Sequence, residues 1–342
     1  DGDSVGRSAE TGLGVFRGEM VCAAAISRLT QPYGPSVVYW LQGHGEARID
    51  DYDEIRGFSD IVRYMKRDGY SIRTLSLPGL VAVPDDCDVL VIAGAVHALS
   101  VEEQQMVDTF LMRGGRLLYL ANPDVSSGLE PLLEKWGLLL RPYVACNPKT
   151  LTGQDAVMNV FADHVIARSL ANSSVVFGRA MCVEAAVDAA KEGGADQPKV
   201  TLLVSTDADG WGESHPDVFP RHFDPQSDLR GPVSVAAVIE RGGAVSKDVA
   251  YKPTRICVFG ESDFVMNGAL STRANANRDL FLNAISWLAG IDVGTAPSLG
   301  GDATLVTGFA RHDWMLFMVL SAAVVPVAYL LFVVLFSLRS QR

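Results

Sequence analysis

The chain has none of the short motifs on which most nucleotide and hydrolytic chemistry rests. There is no G-x-x-x-x-G-K-[ST] among its 342 residues, which excludes ATP hydrolysis by the P-loop route. No G-x-G-x-x-G follows a strand, so the ordinary dinucleotide site is missing. G-x-S-x-G and H-E-x-x-H are missing too. Cysteine is sparse: Cys22, Cys87, Cys146, Cys182 and Cys257 stand singly, with no C-x-x-C. An odd count without paired spacing fits neither a disulfide framework nor a zinc site. None of the five sits at a sharp strand-to-helix turn with a histidine partner, so no thiol nucleophile is expected; they read as small buried residues. Basic residues are outnumbered, and the net charge of −11 argues against nucleic acid and an anionic membrane surface as ligands. No catalytic residue, cofactor or metal is expected.

Charge is also missing locally. From Trp314 to Leu338 no side chain is ionisable as Asp, Glu, Lys or Arg. About 20 apolar residues cross a bilayer core, so 314–338 is read as a transmembrane helix. Arg339 and Arg342 follow it, while Arg311 is offset by Asp302 and Asp313. The positive-inside rule then puts 339–342 in the cytoplasm and the large domain outside, as a single-pass protein of the inner (cytoplasmic) membrane. Ser321, Ala322, Ala323 and Pro326 are candidates for close packing against a partner helix, since small residues and a freed carbonyl favour helix contact in lipid.

Ahead of the span, apolar runs alternate with amphipathic ones. Ser36–Leu41, Ser71–Leu77, Asp88–Ala95, Arg116–Leu120 and Arg255–Gly260 read as strands, several of them continuous enough to be covered on both faces. Asp51–Lys66, the stretch from Ser100 to Gly114-Gly115, Leu129–Leu139 and Asn277–Leu288 read as helices; Ser100 and Glu103 have the spacing of a capping box. This alternation predicts an α/β fold with a doubly wound, mostly parallel sheet. Its parts are a linker (1–17), a first α/β part (18–145, opening on a helix over Gly18–Thr30), an irregular β-containing insertion (146–250), a closing strand and helix (251–290) and a stalk (291–313). Within the insertion, Val175–Phe177, Lys199–Val204 and Val233–Ile239 are strand candidates, and Ser205–Gly231 is a long polar loop, a kind that is usually functional or mobile.

In such sheets ligands bind beyond the carboxyl ends of the strands. Those ends carry His44, Gly45, Glu46, His97, Asn122, Asp124, Glu261, Asp263 and Asn267, a set able to hold a sugar, a peptide terminus or a hard cation. Each could equally cap a helix or close a turn. G-H-G-E at 43–46 is least easily explained as capping, because glycines around a histidine allow close backbone approach. Asp207–Glu213 only faintly resembles a calcium loop.

The ordered set FRGEM (Phe16–Met20), VYWLQGHGE (Val38–Glu46), DVLVIAGA, LSVEEQQMVDTFLMRGGRLLYL, STDADGWGE (Ser205–Glu213), GPVSVAAVIE (Gly231–Glu240), RICVFGESDFVMN and NRDLFLNAISWLAG resembles the gliding-motility-type (GldG-like) auxiliary components of ABC transporters, over roughly residues 16–338. The resemblance implies a non-enzymatic extracytoplasmic domain of flavodoxin or class I glutamine amidotransferase layout, without the amidotransferase nucleophile. It also implies a permease and a separate ATPase as partners, and a carbohydrate-binding role has been proposed for related modules. A glycan or peptide is the candidate ligand; the alternatives are an envelope glycan-binding module uncoupled from transport, and a degenerate hydrolase built on His44, Glu46 and Asp263.

Overall fold

The computed structural model describes residues 5–7, 14–16, 35–150, 154–186, 197–242, 253–271 and 276–291. The expected helix at 18–30, the stalk beyond residue 291 and the span 314–338 with its packing residues lie outside the described residues. No helix among the described residues is long and apolar enough to cross a membrane. Within the expected N-terminal linker, β1 (Val5–Arg7) and β2 (Gly14–Phe16) pair antiparallel.

Five strands form the parallel half of one sheet: β3 (Val37–Leu41), β4 (Ser71–Leu75), β5 (Val89–Ala93), β6 (Arg116–Leu120) and, much later in the chain, β16 (Thr254–Phe259). Their spatial order is β4–β3–β5–β6–β16. Every residue of β5 and β6 is buried, as a strand covered on both faces must be. Alternate residues of β3 serve opposite cores. Val38 and Trp40 face α1 (Ser59–Arg67) and a C-terminal helix at Asn277–Ala289, while Tyr39 and Leu41 face α2 (Val101–Met112) and α3 (Glu130–Lys135). The fold is therefore a sheet with helices on both sides.

The sheet is less parallel than expected. Between β7 (Leu138–Cys146) and β15 (Ser234–Arg241) the chain adds β8 (Ala156–Met158), β9 (Val160–Phe161), β10 (Val175–Phe177), β11 (Met181–Ala185), β12 (Lys199–Ser205), β13 (Trp211–Glu213) and β14 (Leu229–Arg230). All of these pair antiparallel; β8 and β10 form a separate two-stranded sheet, and β15 joins the others to β16 through Ala236↔Phe259 and its neighbours. The sheet reaches 12 strands among the described residues. Parallel neighbours need a crossover, usually a helix, and the amphipathic helical spacing stops after residue 135. The insertion is thus the second half of the sheet. Short α4 (Asn267–Ser271) and α5 (Asn277–Ala289) close the chain's return.

Two helices are shorter than their apolar spacing suggests. Where a helix over 51–66 is expected, Asp51 accepts the Asp53 N–H and Asp53 accepts those of Ile55 and Arg56, an alternative to helical bonding that Asp side chains commonly offer; α1 starts only at Ser59. Where a helix over 129–139 is expected, Gly137 at φ +86° ends α3, as glycine does past a helix C-terminus. Leu138–Leu140 then pair with β11. A short leucine run is compatible with either state, and the strand partner decides it.

Candidate functional site

The carboxyl ends of the parallel strands share one edge, and every ligand-binding residue expected from the sequence follows one of these strands. The chain steps from β3 to β4 on one side and then to β5 on the other. That reversal is where an open α/β sheet ordinarily leaves a crevice for ligand. Gly43–Glu46 follow β3 and Gly94–His97 follow β5, so the two loops flank it.

Here the loops are joined across it. The His44 carbonyl accepts the N–H groups of both Val96 and His97 at 2.9 Å, and Ala47 donates to the Ala93 carbonyl. Gly45 has φ +78°, and a Cβ there would stand 2.1 Å from Val96 Cγ2; only glycine satisfies both constraints. Gly45→Ala is expected to destabilise the fold by about 1–3 kcal/mol through backbone strain and overpacking. Thermal unfolding measures this, and an unchanged midpoint would mean that the Val96 loop yields freely.

Beneath the loops lies a buried triad. His44 Nδ1 is 2.9 Å from Glu46 Oε1, and Nε2 is 3.0 Å from Glu103 Oε2. The His44 backbone N–H also donates to Glu46 Oε2 at 2.7 Å. Both ring nitrogens of His44 are therefore engaged by carboxylate oxygens. Glu103 is the N3 residue of the α2 capping box, taking the Ser100 N–H while the Ser100 hydroxyl takes the Glu103 N–H. Burial pushes its carboxyl up, but the Ser100 N–H and the His44 ring outweigh this and hold it below the ordinary carboxylate range. Helix capping and loop anchoring meet in one carboxylate.

Farther along the edge, Glu261 follows β16 and is buried. It accepts the backbone N–H groups of Gly178 and Arg179, which hold the turn between β10 and β11. Burial pushes its carboxyl up to about 7, against those two N–H groups and the Arg179 charge. The Arg179 guanidinium donates to Asp217 of the long loop at 2.8 Å and to Asp124 at 3.1 Å, tying that loop to the end of β6. The Asn122 side chain accepts the Asp124 N–H. Asp263 accepts the Ser262 hydroxyl at 2.9 Å, and Ser262 closes over Gly94, whose Cβ would lie 2.7 Å from Ser262 Oγ.

Asn267 serves a different purpose. Its Nδ2 donates to the Asp53 carbonyl at 2.6 Å and to Ser59 Oγ, and its Oδ1 accepts the Asp60 N–H. Both ends of its amide are engaged in holding the loop before α1. His97 is exposed and its ring lies over Gly45. The loop at 205–231 is partly structured: it contains β13 and β14, and Asp228 accepts the Ser214 N–H and hydroxyl. Asp207 pairs with Lys149 at 3.0 Å, and the described residues hold no group of three or more candidate metal ligands.

The edge thus assembles into His44–Glu46–Glu103 at the reversal, Glu261–Arg179–Asp124–Asp217 beside it, and Asn267 with the loop before α1. Sequence reasoning missed Glu103, read only as a cap, along with Arg179 and Asp217. Their partners lie tens of residues away, and no local spacing signals such contacts.

A family model described as an ABC-type uncharacterized transport system matches residues 35–284. Comparison with curated proteins gives no significant match. Among solved structures, the mmIFT52 N-terminal domain aligns at TM-score 0.51 and 13% identity, over 74% of this chain and 97% of that one; the likeness is one of fold. A thua-like protein from Parabacteroides merdae aligns at TM-score 0.44 and 11% identity, over 76% and 92%. The exo-beta-1,4-mannosidase Op5Man5 from Opitutaceae bacterium strain TAV5 aligns at 0.37 and 10%, over 79% and 38%.

Proposed function

Since the chain belongs to the family described as an ABC-type uncharacterized transport system, as an auxiliary component, we propose that it is a non-catalytic, membrane-anchored subunit whose extracytoplasmic domain works beside a permease and a separate ATPase in substrate capture or coupling. The observation that carries the non-catalytic reading is the closed crevice at the β3/β5 reversal. Both His44 ring nitrogens face carboxylates, so neither is placed to take a proton from substrate or water, as a general base must. The strand-end residues act as a brace for a rigid edge. The strand order β4–β3–β5–β6–β16 supports the flavodoxin-like layout that the resemblance implies.

The uncharged stretch 314–338 supports anchoring, and its small residues support docking on a permease helix. The test is mild-detergent purification of the tagged full chain, with mass spectrometry of the proteins that accompany it. A permease and an ATPase in fixed ratio are expected; a chain that purifies alone removes the subunit reading. Ala322→Leu or Ala323→Leu is expected to weaken that association while leaving the unfolding of the domain unchanged, because a larger side chain holds helices apart in lipid. Association at wild-type strength would discard the docking role of 321–326.

A further inference from the structure

The loops after β4, β3 and β5 present apolar side chains to solvent. Tyr52 is 79% exposed, Ile55 71% and Val81 96%, with Val96 also exposed, and Val101 at the start of α2 is 62% exposed. Those three strands are adjacent in the sheet, and neighbouring strands lie about 4.8 Å apart, so their loops leave the same edge side by side. Single exposed apolar residues are ordinary, whereas Tyr52 and Ile55 stand together, three residues apart on one loop.

The loop that carries Tyr52 and Ile55 is held rigidly from behind. Besides the three Asn267 side-chain bonds, the Asn267 N–H donates to the Gly57 carbonyl and the Gly268 N–H to the Ile55 carbonyl. Ser59 N–H returns to the Asp51 carbonyl. A Cβ at Gly57 would stand 2.3 Å from the Asp51 carbonyl oxygen, so the turn is closed tightly on itself. Two large apolar side chains on a braced backbone are pre-organised for binding, since little ordering entropy remains to be lost. Aromatic and aliphatic anchors held in this way dominate protein interfaces.

The rim carries mostly negative charge. Asp50, Asp51, Asp53, Glu54 and Glu102 are exposed there. Arg48 is paired with Asp50, and Arg56 is the other cation of this loop. The N–H groups of Arg56 and Ile55 hold the Asp53 carboxyl below its ordinary range. Both ends of the core lie at the opposite edge: Pro35 just precedes β3, and the last turn of α5, at Gly290, stands against Arg116, the first residue of β6. The described chain therefore begins and ends at the edge remote from this surface, and the excess of carboxylates around Tyr52 and Ile55 favours a basic protein segment as its occupant.

We propose that the carboxyl edge over β4, β3 and β5 is a docking surface for a basic amphipathic segment of a partner protein, with Tyr52 and Ile55 as its apolar anchors and the surrounding carboxylates pairing with lysine or arginine. This goes beyond the subunit assignment and does not depend on it. The test uses the full chain in detergent with a synthetic 18-residue (about five turns) leucine/lysine amphipathic helix, and a leucine/glutamate helix of the same pattern as control. The lysine peptide is expected to bind. Ile55→Ser and Tyr52→Ser should each weaken binding about tenfold or more, as hot-spot truncation does. Val160→Ser, an exposed site on the other half of the sheet, should leave it unchanged, as should the thermal midpoints of all three variants. Equal binding by wild type and patch variants, or equal binding of the glutamate peptide, overturns the proposal. Concentration-dependent dimerisation lost in Ile55→Ser would assign the surface to a second copy of the chain. Phosphatidylglycerol-vesicle binding lost in the same variant would assign it to lipid. Either result overturns it as well.

Discussion

Replacing His44 by alanine is expected to destabilise the folded domain by about 3–5 kcal/mol, the range found when one partner of a buried ion pair is removed. The reason is what stays behind. Glu46 and Glu103 are both buried, and each would lose its contact with the imidazole. The second oxygen of Glu103 already has no hydrogen-bond partner in the protein, so Glu103 would keep only the Ser100 N–H. The deficit should be largest near neutral pH. The Glu103 carboxyl is held below the ordinary range, so its contribution is present above the unfolded value and is lost as pH falls through the folded one. Urea unfolding of wild type, His44→Ala, Glu103→Gln and the double variant closes a cycle that isolates the coupling. A coupling near zero would mean that the triad is a contact without energetic consequence, and the brace reading of the edge would fall with it.

The second large effect concerns pH. Wild-type stability should carry a component that declines as pH rises from about 4.5 to about 7, and Glu261→Gln should abolish that component. Buried at the end of β16, Glu261 has its carboxyl pushed up to about 7. Across this window the folded state keeps a proton that the unfolded chain has released. Stability then falls with rising pH, the reverse of an ion-paired carboxylate. At 1.36 kcal/mol per unit, the component amounts to about 3 kcal/mol. The measurement is the difference between wild-type and variant unfolding free energies at pH 5 and pH 8, in which the other carboxylates cancel. A difference that stays constant across the window would show that the Gly178 and Arg179 N–H groups compensate the burial in full. A difference that narrows would make the turn bearing Arg179, and with it the tie from Asp124 to Asp217, the most proton-sensitive part of the edge.

Much of the scaffold was legible without coordinates, for identifiable reasons. β5 and β6 are runs of apolar residues whose length and flanks admit one reading, and α2 begins where Ser100 and Glu103 say it should, with both capping bonds formed. Asn277–Ala289 shows its helical stripe and ends on Gly290 in the left-handed region. Each of these is decided within a few residues of chain, where spacing and capping chemistry act. The helix expected from Asp51 failed because Asp51 and Asp53 bind backbone N–H groups that the helix would have used, and apolar spacing does not register that competition. Leu138–Leu140 became strand because β11 lay alongside.

Local chemistry in the sequence determined the strands of the parallel half, the caps, the placement of the polar residues at strand ends, and the absence of nucleotide and hydrolase motifs. Tertiary structure decided what those polar residues do. His44 meets Glu103 across 59 residues of chain, Glu261 meets Arg179 across 82, and Asn267 meets Asp53 across 214. Hydrogen-bond satisfaction of a buried group depends on what folding brings within about 3 Å of it, and sequence order does not encode that distance. The same holds for the exposed side chains of three separate loops, which leave one edge side by side only because β4, β3 and β5 are neighbours in the sheet.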